Sequence, residues 1–338
     1  MIKKLIIPII IVVASLGSLK AQDSHFSQFY ANPLYLNPAM AGSVVCPRIV
    51  LNYRNQWPSI SGTYVTYNAS YDQHVHKMHG GLGFLVTSDR AGEGTLNTNT
   101  ASLMYSYKLD ITKGFSIKAG LQATFFQRSL DWEKLTFPDQ IDPKYGFVYN
   151  TNEKYPSGGL NVMKPDFAAG VLAYGENYFL GFSCHHLTEP NVGFNSVSYL
   201  QRRFTIHGGT VINLEGRNTR NSKLERTSIS PNILYMWQQD FNQINYGFYL
   251  NKFPFVVGLW YRQNIETEQD ALVNIGSDAM IVLLGFQQDM FKFGYSYDLT
   301  VSRLKASASG GAHEFSFTLQ LECNPQKVRV RAINCPSF

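Results

Sequence analysis

The chain has 338 residues, 29 of them basic and 24 acidic, with 14% aromatic and only 16% charged residues. Three lysines belong to an N-terminal leader, and without it 26 basic residues face 24 acidic ones, a balance of +2. That is no electrostatic footprint for nucleic acid. No stretch after the leader has the roughly 18 uninterrupted apolar residues of a membrane helix.

In residues 1–21, Lys3 and Lys4 precede an apolar run over residues 5–16 and a short polar stretch ending at Ala21. This is the layout of a secretory signal peptide, with cleavage expected between Ala21 and Gln22. The apolar run is too short to span comfortably. It also lacks the cysteine that a lipid anchor requires. Residues 23–42 follow without alternation and are rich in Phe, Tyr, Asn and Pro. Pro33 and Pro38 argue against a spanning strand here. The segment reads either as an insert packed inside a lumen or as an ordered periplasmic strap.

From residue 47 onward the dominant rhythm is period two, which sends alternate side chains to opposite faces of a strand. Alternation and turn signals predict strands over 47–56, 62–71, 80–87, 95–107, 114–128, 166–174 and 177–186. They continue over 203–213, 227–239, 243–251, 255–263, 278–287, 291–300 and 312–322. The stretch 291–300 is the cleanest: Phe291, Phe293, Tyr295, Tyr297 and Leu299 alternate with Lys292, Gly294, Ser296, Asp298 and Thr300. In 114–128, Phe115, Ile117, Ala119 and Leu121 oppose Ser116, Lys118, Gly120 and Gln122. Tyr249 is the one aromatic on the polar side of its strand, and Met280 to Leu284 is a solid apolar run.

Fourteen antiparallel strands, each near the 9–11 residues that cross a bilayer at a tilt, predict an all-β, transmembrane outer-membrane barrel. The connections agree with it: short turns on the periplasmic side, and long outer loops at 129–165, 187–202, 264–277 and 301–311. A long gap at 214–226 and a tight one at 240–242 fall on the wrong sides, which a miscount of one hairpin would explain. The rival is a soluble β-sandwich, which would need a second core layer to cover so many aromatic faces. The expected organisation is a leader over 1–21, an insert or hatch over 22–45, the barrel over 46–322, and a periplasmic tail over 323–338.

Chemistry-bearing groups are sparse. His74 and His76, with His79 nearby, have metal-like spacing, but only Asp72 accompanies them and no thiolate completes a set, so a solvated turn is expected. His185 and His186 are adjacent in a strand and should point to opposite faces. His313 falls on the lipid face beside lumen-facing Glu314. Lumen-facing Asp298, Glu314, Lys118 and Lys292 could line a path or hold a plug. Gly80, Gly81 and Gly83 relieve crowding at a strand start. Cys323 and Cys335 flank a basic tail and could form a local disulfide. No nucleophile elbow, phosphate loop or dinucleotide fingerprint appears. No enzyme, cofactor or metal site is expected.

Residues 23–42 read Asp-Ser-His-Phe-Ser-Gln-Phe-Tyr-Ala-Asn-Pro-Leu-Tyr-Leu-Asn-Pro-Ala-Met-Ala-Gly. This wording resembles the opening of the PorP/SprF family, outer-membrane proteins of the Bacteroidetes type IX secretion system. Phe-Gly-Tyr-Ser-Tyr-Asp-Leu-Thr at 293–300 and Gly-Ala-His-Glu-Phe-Ser at 311–316 are similar to that family's closing strands. The resemblance implies secretion or surface anchoring of cargo proteins, such as gliding adhesins, through a C-terminal signal domain. Its implied partners are that cargo domain, outer-membrane lipid and the periplasmic ring or other envelope proteins. Asn37-Pro38-Ala39 also resembles the hatch of FadL-like transporters, whose implied function is a channel for hydrophobic small molecules. Phe26, Gln28, Tyr30, Asn37 and Pro38 are expected to hold the insert, with Asp298 and Glu314 as its lumen partners. The loop 129–165, carrying Trp132, Phe137, Tyr145, Phe147 and Tyr149, is expected to form an outer contact surface or to fold over the lumen.

Overall fold

The structure is a computed structural model, and it describes residues 23–92, 95–156, 159–194, 196–214, 227–267, 273–288, 290–301 and 309–323. Among these residues, fourteen long strands pair with their sequence neighbours, all antiparallel. They are β1 (Arg48–Gln56), β2 (Tyr64–Val75), β3 (Gly80–Ala91), β4 (Leu96–Asp110), β5 (Ser116–Leu130), β6 (Asn161–Tyr174) and β7 (Tyr178–His185). The second half comprises β8 (Arg203–Thr210), β9 (Ser228–Gln238), β10 (Phe241–Lys252), β11 (Phe255–Thr267), β12 (Val273–Gln288), β13 (Phe291–Thr300) and β14 (Ala312–Gln320). β1 pairs with β14 from Arg48↔Gln320 to Gln56↔Ala312, so the sheet closes on itself and leaves no edge. Among the described residues no helix is long and apolar enough to cross a membrane, and none is needed by a closed barrel.

The side chains are distributed inside out relative to a soluble protein. Leu103, Leu121, Phe125 and Leu180 stand outward, each more than half exposed. Arg48, Arg54, Asp72, Lys118, Asp166, Arg203, Arg262, Asp298 and Glu314 are buried inside. Water would penalise the outer face and an apolar core the inner one, whereas a bilayer around a polar lumen suits both. The sandwich is thereby excluded.

Every predicted strand has its observed counterpart, and no hairpin was miscounted. The anomalous tight gap is a real two-residue turn at Gln239 and Asp240, closed by a left-handed Gln239 (φ 55°). On the opposite rim, Ile212 and Asn213 pair with Ile229 and Ser228 before the long connection that follows β8. The expected long loop over 264–277 is corrected: β11 and β12 stay paired out to Thr267↔Val273, past a register shift at Arg262/Gln263. The apolar run at Met280 to Leu284 also finds its reason. Ile281 and Leu283 point into a lumen core while Met280, Val282 and Leu284 face outward, so both faces of this strand are apolar.

The expected Cys323–Cys335 disulfide is wrong. Cys323 bonds to Cys46, with Cα atoms 5.4 Å apart. The β1–β14 ladder continues past its last register pair, with the Leu321 amide donating to the Pro47 carbonyl (2.9 Å), and this brings residues distant in sequence together. Cys335 lies outside the described residues. The bond ties the end of the insert to the end of the last strand, at the seam of the barrel. Cys46→Ser should therefore lower the temperature at which the compact form is lost in heat-modifiable gel mobility, consistent with about 2–4 kcal/mol for a long closed loop. Cys335→Ser should leave that temperature unchanged.

Candidate functional site: the occupied lumen

Residues 23–45 run inside the barrel, from the long-loop end at Asp23 to the short-turn end at Cys46. Every residue over 26–42 is buried except half-buried Tyr35. The segment contains only short helical turns, Phe29–Ala31, Pro33–Leu36 and Pro38–Met40, so its own backbone leaves many polar groups unpaired. The wall supplies the missing partners at four places.

The first anchor centres on Ser27 and Gln28. The Ser27 hydroxyl donates to Asp298 Oδ2 (2.6 Å) and accepts from Arg54 Nη1 (2.8 Å) and Arg262 Nη2 (2.6 Å). A hydroxyl has one proton and two lone pairs, so it is saturated. The Ser27 and Gln28 amides donate to the two carboxylate oxygens of Glu314 at 2.7 and 3.1 Å. The Gln28 side chain donates to Ser296 Oγ and to the Glu314 carbonyl, and accepts from Ser316 Oγ. Arg54 also pairs with Asp298 (2.9 Å) and Glu314 (3.2 Å), and Arg262 with Asp298 (3.1 Å).

The second anchor is Asn37-Pro38-Ala39. Proline holds the preceding residue extended, and Asn37 is so (φ −157°, ψ 121°), with its Oδ1 accepting from the Ala39 amide (2.9 Å). Its Nδ2 donates to the Val171 and Phe182 carbonyls, both at 3.2 Å. The wall opposite is cut back to glycine. A Cβ at Gly170 would lie 2.0 Å from Asn37 Oδ1, and one at Gly120 would lie 2.4 Å from the Ala39 nitrogen. Only glycine lets the insert approach so closely.

The third anchor faces the short-turn rim. The Ala41 carbonyl accepts from Lys118 Nζ (2.6 Å) and Ser106 Oγ (2.7 Å), and the Gly42 amide donates to Asp72, which Arg48 holds in a two-pronged ion pair. The fourth lies at the long-loop end. Asp23 accepts from His186 Nε2 (2.8 Å) and Arg203 (3.0 Å), and His186 Nδ1 reaches Asp166 (2.7 Å). His186 follows β7 with φ 58°, which turns its ring inward; the expectation that His185 and His186 point to opposite faces is corrected. Tyr35 donates to the Ser24 carbonyl and accepts from Arg203.

Between these polar anchors the insert is packed as a core. Phe29 meets Trp260 edge to face at 5.4 Å, and Tyr30 meets Phe179 at 5.5 Å and Tyr249 at 6.4 Å. Leu36 and Met40 join the same cluster with Leu172, Leu234, Ile281 and Leu283. Tyr249, the aromatic on the polar side of its strand, faces this cluster. Phe26 packs on Tyr35 at 5.0 Å. At the outer mouth, the connection between β7 and β8 folds inward, and Val192 and Leu200 bury against Phe126.

The loop residues divide into two groups. Trp132 packs on Phe137 and Tyr155, both at 5.0 Å. Tyr145, Phe147 and Tyr149 stand in solvent on and beside a small hairpin of Ile141–Asp142 with Gly146–Phe147. The Asp142 carboxylate holds it by accepting from the Lys144 and Tyr145 amides and the Tyr149 hydroxyl. His74 and His76 meet edge to face at 4.8 Å beside the turn that His79 ends, and His313 lies 2.9 Å from the Tyr295 hydroxyl. Sequence reasoning missed Ser27, Arg54 and Arg262, and also the Asp23–His186 pair. The only available signal was an arginine at an inward position of a strand.

A closed barrel with an apolar outer face, a polar interior and a buried N-terminal plug defines an outer-membrane class of protein. A family model described as "Type IX secretion system membrane protein PorP/SprF" matches residues 18–319, and the chain belongs to that family. It is accordingly an outer-membrane protein of type IX secretion. No curated protein sequence matches the chain. Among solved structures, the outer membrane protein Omp33 of Acinetobacter baumannii is 9% identical, with a TM-score of 0.44 over 83% of this chain and 100% of its own. A Pseudomonas aeruginosa FadL homologue is 11% identical, with a TM-score of 0.41 over 84% and 92%. The Ralstonia pickettii toluene transporter TbuX is 9% identical, at 0.42 over 86% and 93%.

Two outcomes follow for the plug. Asp298→Asn with Glu314→Gln leaves buried Arg54 without its two carboxylate partners and Arg262 with only Asp278 at 3.7 Å, at a cost of about 3–5 kcal/mol. A cysteine placed at Ser24 should then react with an impermeant maleimide at least about tenfold faster; an unchanged rate would mean the other anchors suffice. The Asp23 anchor should depend on pH. Burial pushes the Asp23 carboxyl up, but the His186 and Arg203 charges outweigh it and hold the group well below the usual range. Burial likewise disfavours charged His186, yet Asp23 and the hydrogen bond to Asp166 raise it to about 9. Its contribution is complete below the ordinary value of 6.5 and is lost as pH rises through about 9. The Asp23 contribution is complete above 3.8 and is lost as pH falls through its depressed value. The labelling rate at position 24, divided at each pH by that of the same cysteine in unfolded chain, should accordingly be lowest between pH 4 and 6.5 and rise towards pH 9 and above, a rise that His186→Ala should abolish.

Proposed function

We propose that this protein binds a secreted cargo or adhesin C-terminal signal domain at the outer surface and anchors it there, without passing it through its own lumen. The observation that carries this reading is the insert: residues 26–42 are buried across the lumen and tied to the wall at four places. Breaking them together would cost several buried charge pairs and an aromatic core at once.

Recognition then falls to the outer loops. Tyr145, Phe147 and Tyr149 combine large apolar area with polar tips, the side chains that dominate protein interfaces. They sit on a hairpin already held by Asp142, so little ordering entropy is lost when a partner binds. Periplasmic ring or other envelope proteins would meet the opposite rim, near the Cys46–Cys323 bond.

Crosslinking on intact cells, followed by purification and mass spectrometry, should recover a C-terminal signal domain with the wild-type chain. The triple variant Tyr145→Ala, Phe147→Ala, Tyr149→Ala should reduce that recovery at least about tenfold, since interface aromatics cost more than 1 kcal/mol each when truncated. Deleting the gene should strip the cargo from the surface. If deletion instead left surface proteins intact and abolished uptake of a hydrophobic compound, the FadL-like channel function would replace this one.

A further inference from the structure

The outward face of β2–β5 changes character within one rung of the sheet. The paired rung of Tyr71, Phe84 and Leu103 is apolar, as is the next, Ala69, Val86 and Ala101. The rung above is Tyr67, Ser88 and Asn99, and the one above that is Val65, Arg90, Asn97 and Ser129. Side chains two apart share a face, so all of these point to the outside of the barrel. Tyrosine at the change marks the membrane interface, where such amphipathic rings collect.

Two depressions meet at this border. The upper one has a volume of about 550 Å³ and is lined by Arg90, Lys134, Ser88, Asn97, Asn99 and Ser129 among others, with no carboxylate among its described lining residues. The lower one, about 420 Å³, is an apolar trough between Leu51, Tyr53, Val86, Phe315 and Phe317, with Ala69 as its small floor. Tyr67 and Ser88 line both, so they form one continuous site. The Arg90 guanidinium lies over the Tyr67 ring at 5.9 Å. The Lys134 ammonium reaches Asp131 at 3.2 Å in an exposed pair, which an incoming anion can readily compete for. Two rungs, about 13 Å of strand, separate the floor of the trough from the Arg90 level.

We propose that this exterior site binds an acylated, phosphorylated lipid of the outer leaflet, with an acyl chain in the Ala69 trough and a phosphate against Arg90 and Lys134. The cations alone would suit any phosphate. The apolar trough joined to them commits the site to a lipid, and the pairing of Arg90 with Lys134, whose Asp131 partner is solvent-exposed, commits it to an anionic one. The site lies on the opposite side of the wall from the insert, and its lining includes none of Tyr145, Phe147 and Tyr149, so its test does not depend on the cargo reading.

The test is native mass spectrometry of the purified full-length barrel, delipidated in neutral detergent. It is titrated separately with bis-phosphorylated lipid A, with phosphatidylethanolamine and with inorganic phosphate. Lipid A should be retained in preference to both other probes. Arg90→Ala with Lys134→Ala should weaken its retention at least about tenfold, at roughly fivefold per cation near a charged surface. Ala69→Trp, which fills the trough and leaves both cations, should weaken it as well. Heat-modifiable mobility checks that each variant still forms the barrel. Equal retention by the cation variant, or equal retention of phosphatidylethanolamine, would overturn the proposal. Inorganic phosphate displacing lipid A efficiently would assign the cations to free phosphate and overturn it too.

Discussion

Arg54, Arg262, Asp298 and Glu314 sit inside the barrel wall with almost no exposure, gathered around the hydroxyl of Ser27. Charges so placed must be paired and hydrogen-bonded, because an isolated one costs several kcal/mol. Two arginines and two carboxylates balance in number, and Ser27 and Gln28 join their side chains with five hydrogen bonds, while Asn245 and Gln56 take further arginine donors. The wall therefore depends on the insert as much as the insert depends on the wall. Without residues 23–45 the lumen would need water around its charges, and the Phe29–Trp260 side would expose an apolar core.

This mutual dependence explains features of the strands that look like faults in isolation. Gly120 and Gly170 weaken a strand by themselves, yet each clears the space for Pro38–Ala39 or Asn37. The apolar inner positions at Leu172, Leu234, Trp260 and Ile281 break the polar-in rule of an open channel, and each meets the insert's cluster. The disulfide from Cys46 to Cys323 then joins the exit of the insert to the closing strand.

Much of the wall was legible because period two is a local signal, carried by every strand on its own. Phe291–Thr300 showed it best, and its inward Ser296 and Asp298 do face the insert. What depends on which strands meet around the ring was not legible. The Cys46–Cys323 bond needed the β1–β14 register, and the inward turn of His186 needed a left-handed residue that no alternation reveals. The Met280–Leu284 run blurred its own period because it is apolar on both faces. Arg54 and Arg262 lay within predicted strands, but their shared partner came from a segment more than two hundred residues from Arg262.

In the proposed function the protein works with its lumen closed. Gln28→Cys with Ser296→Cys places two thiols where the native side chains touch at 3.2 Å, so a short crosslinker can lock the insert to β13 in intact cells. Surface display of the cargo, read by antibody on cells carrying the locked barrel, should match display with the same variant left unlocked. Loss of display on locking, restored by cleaving the crosslink, would contradict the account and return the lumen to the route.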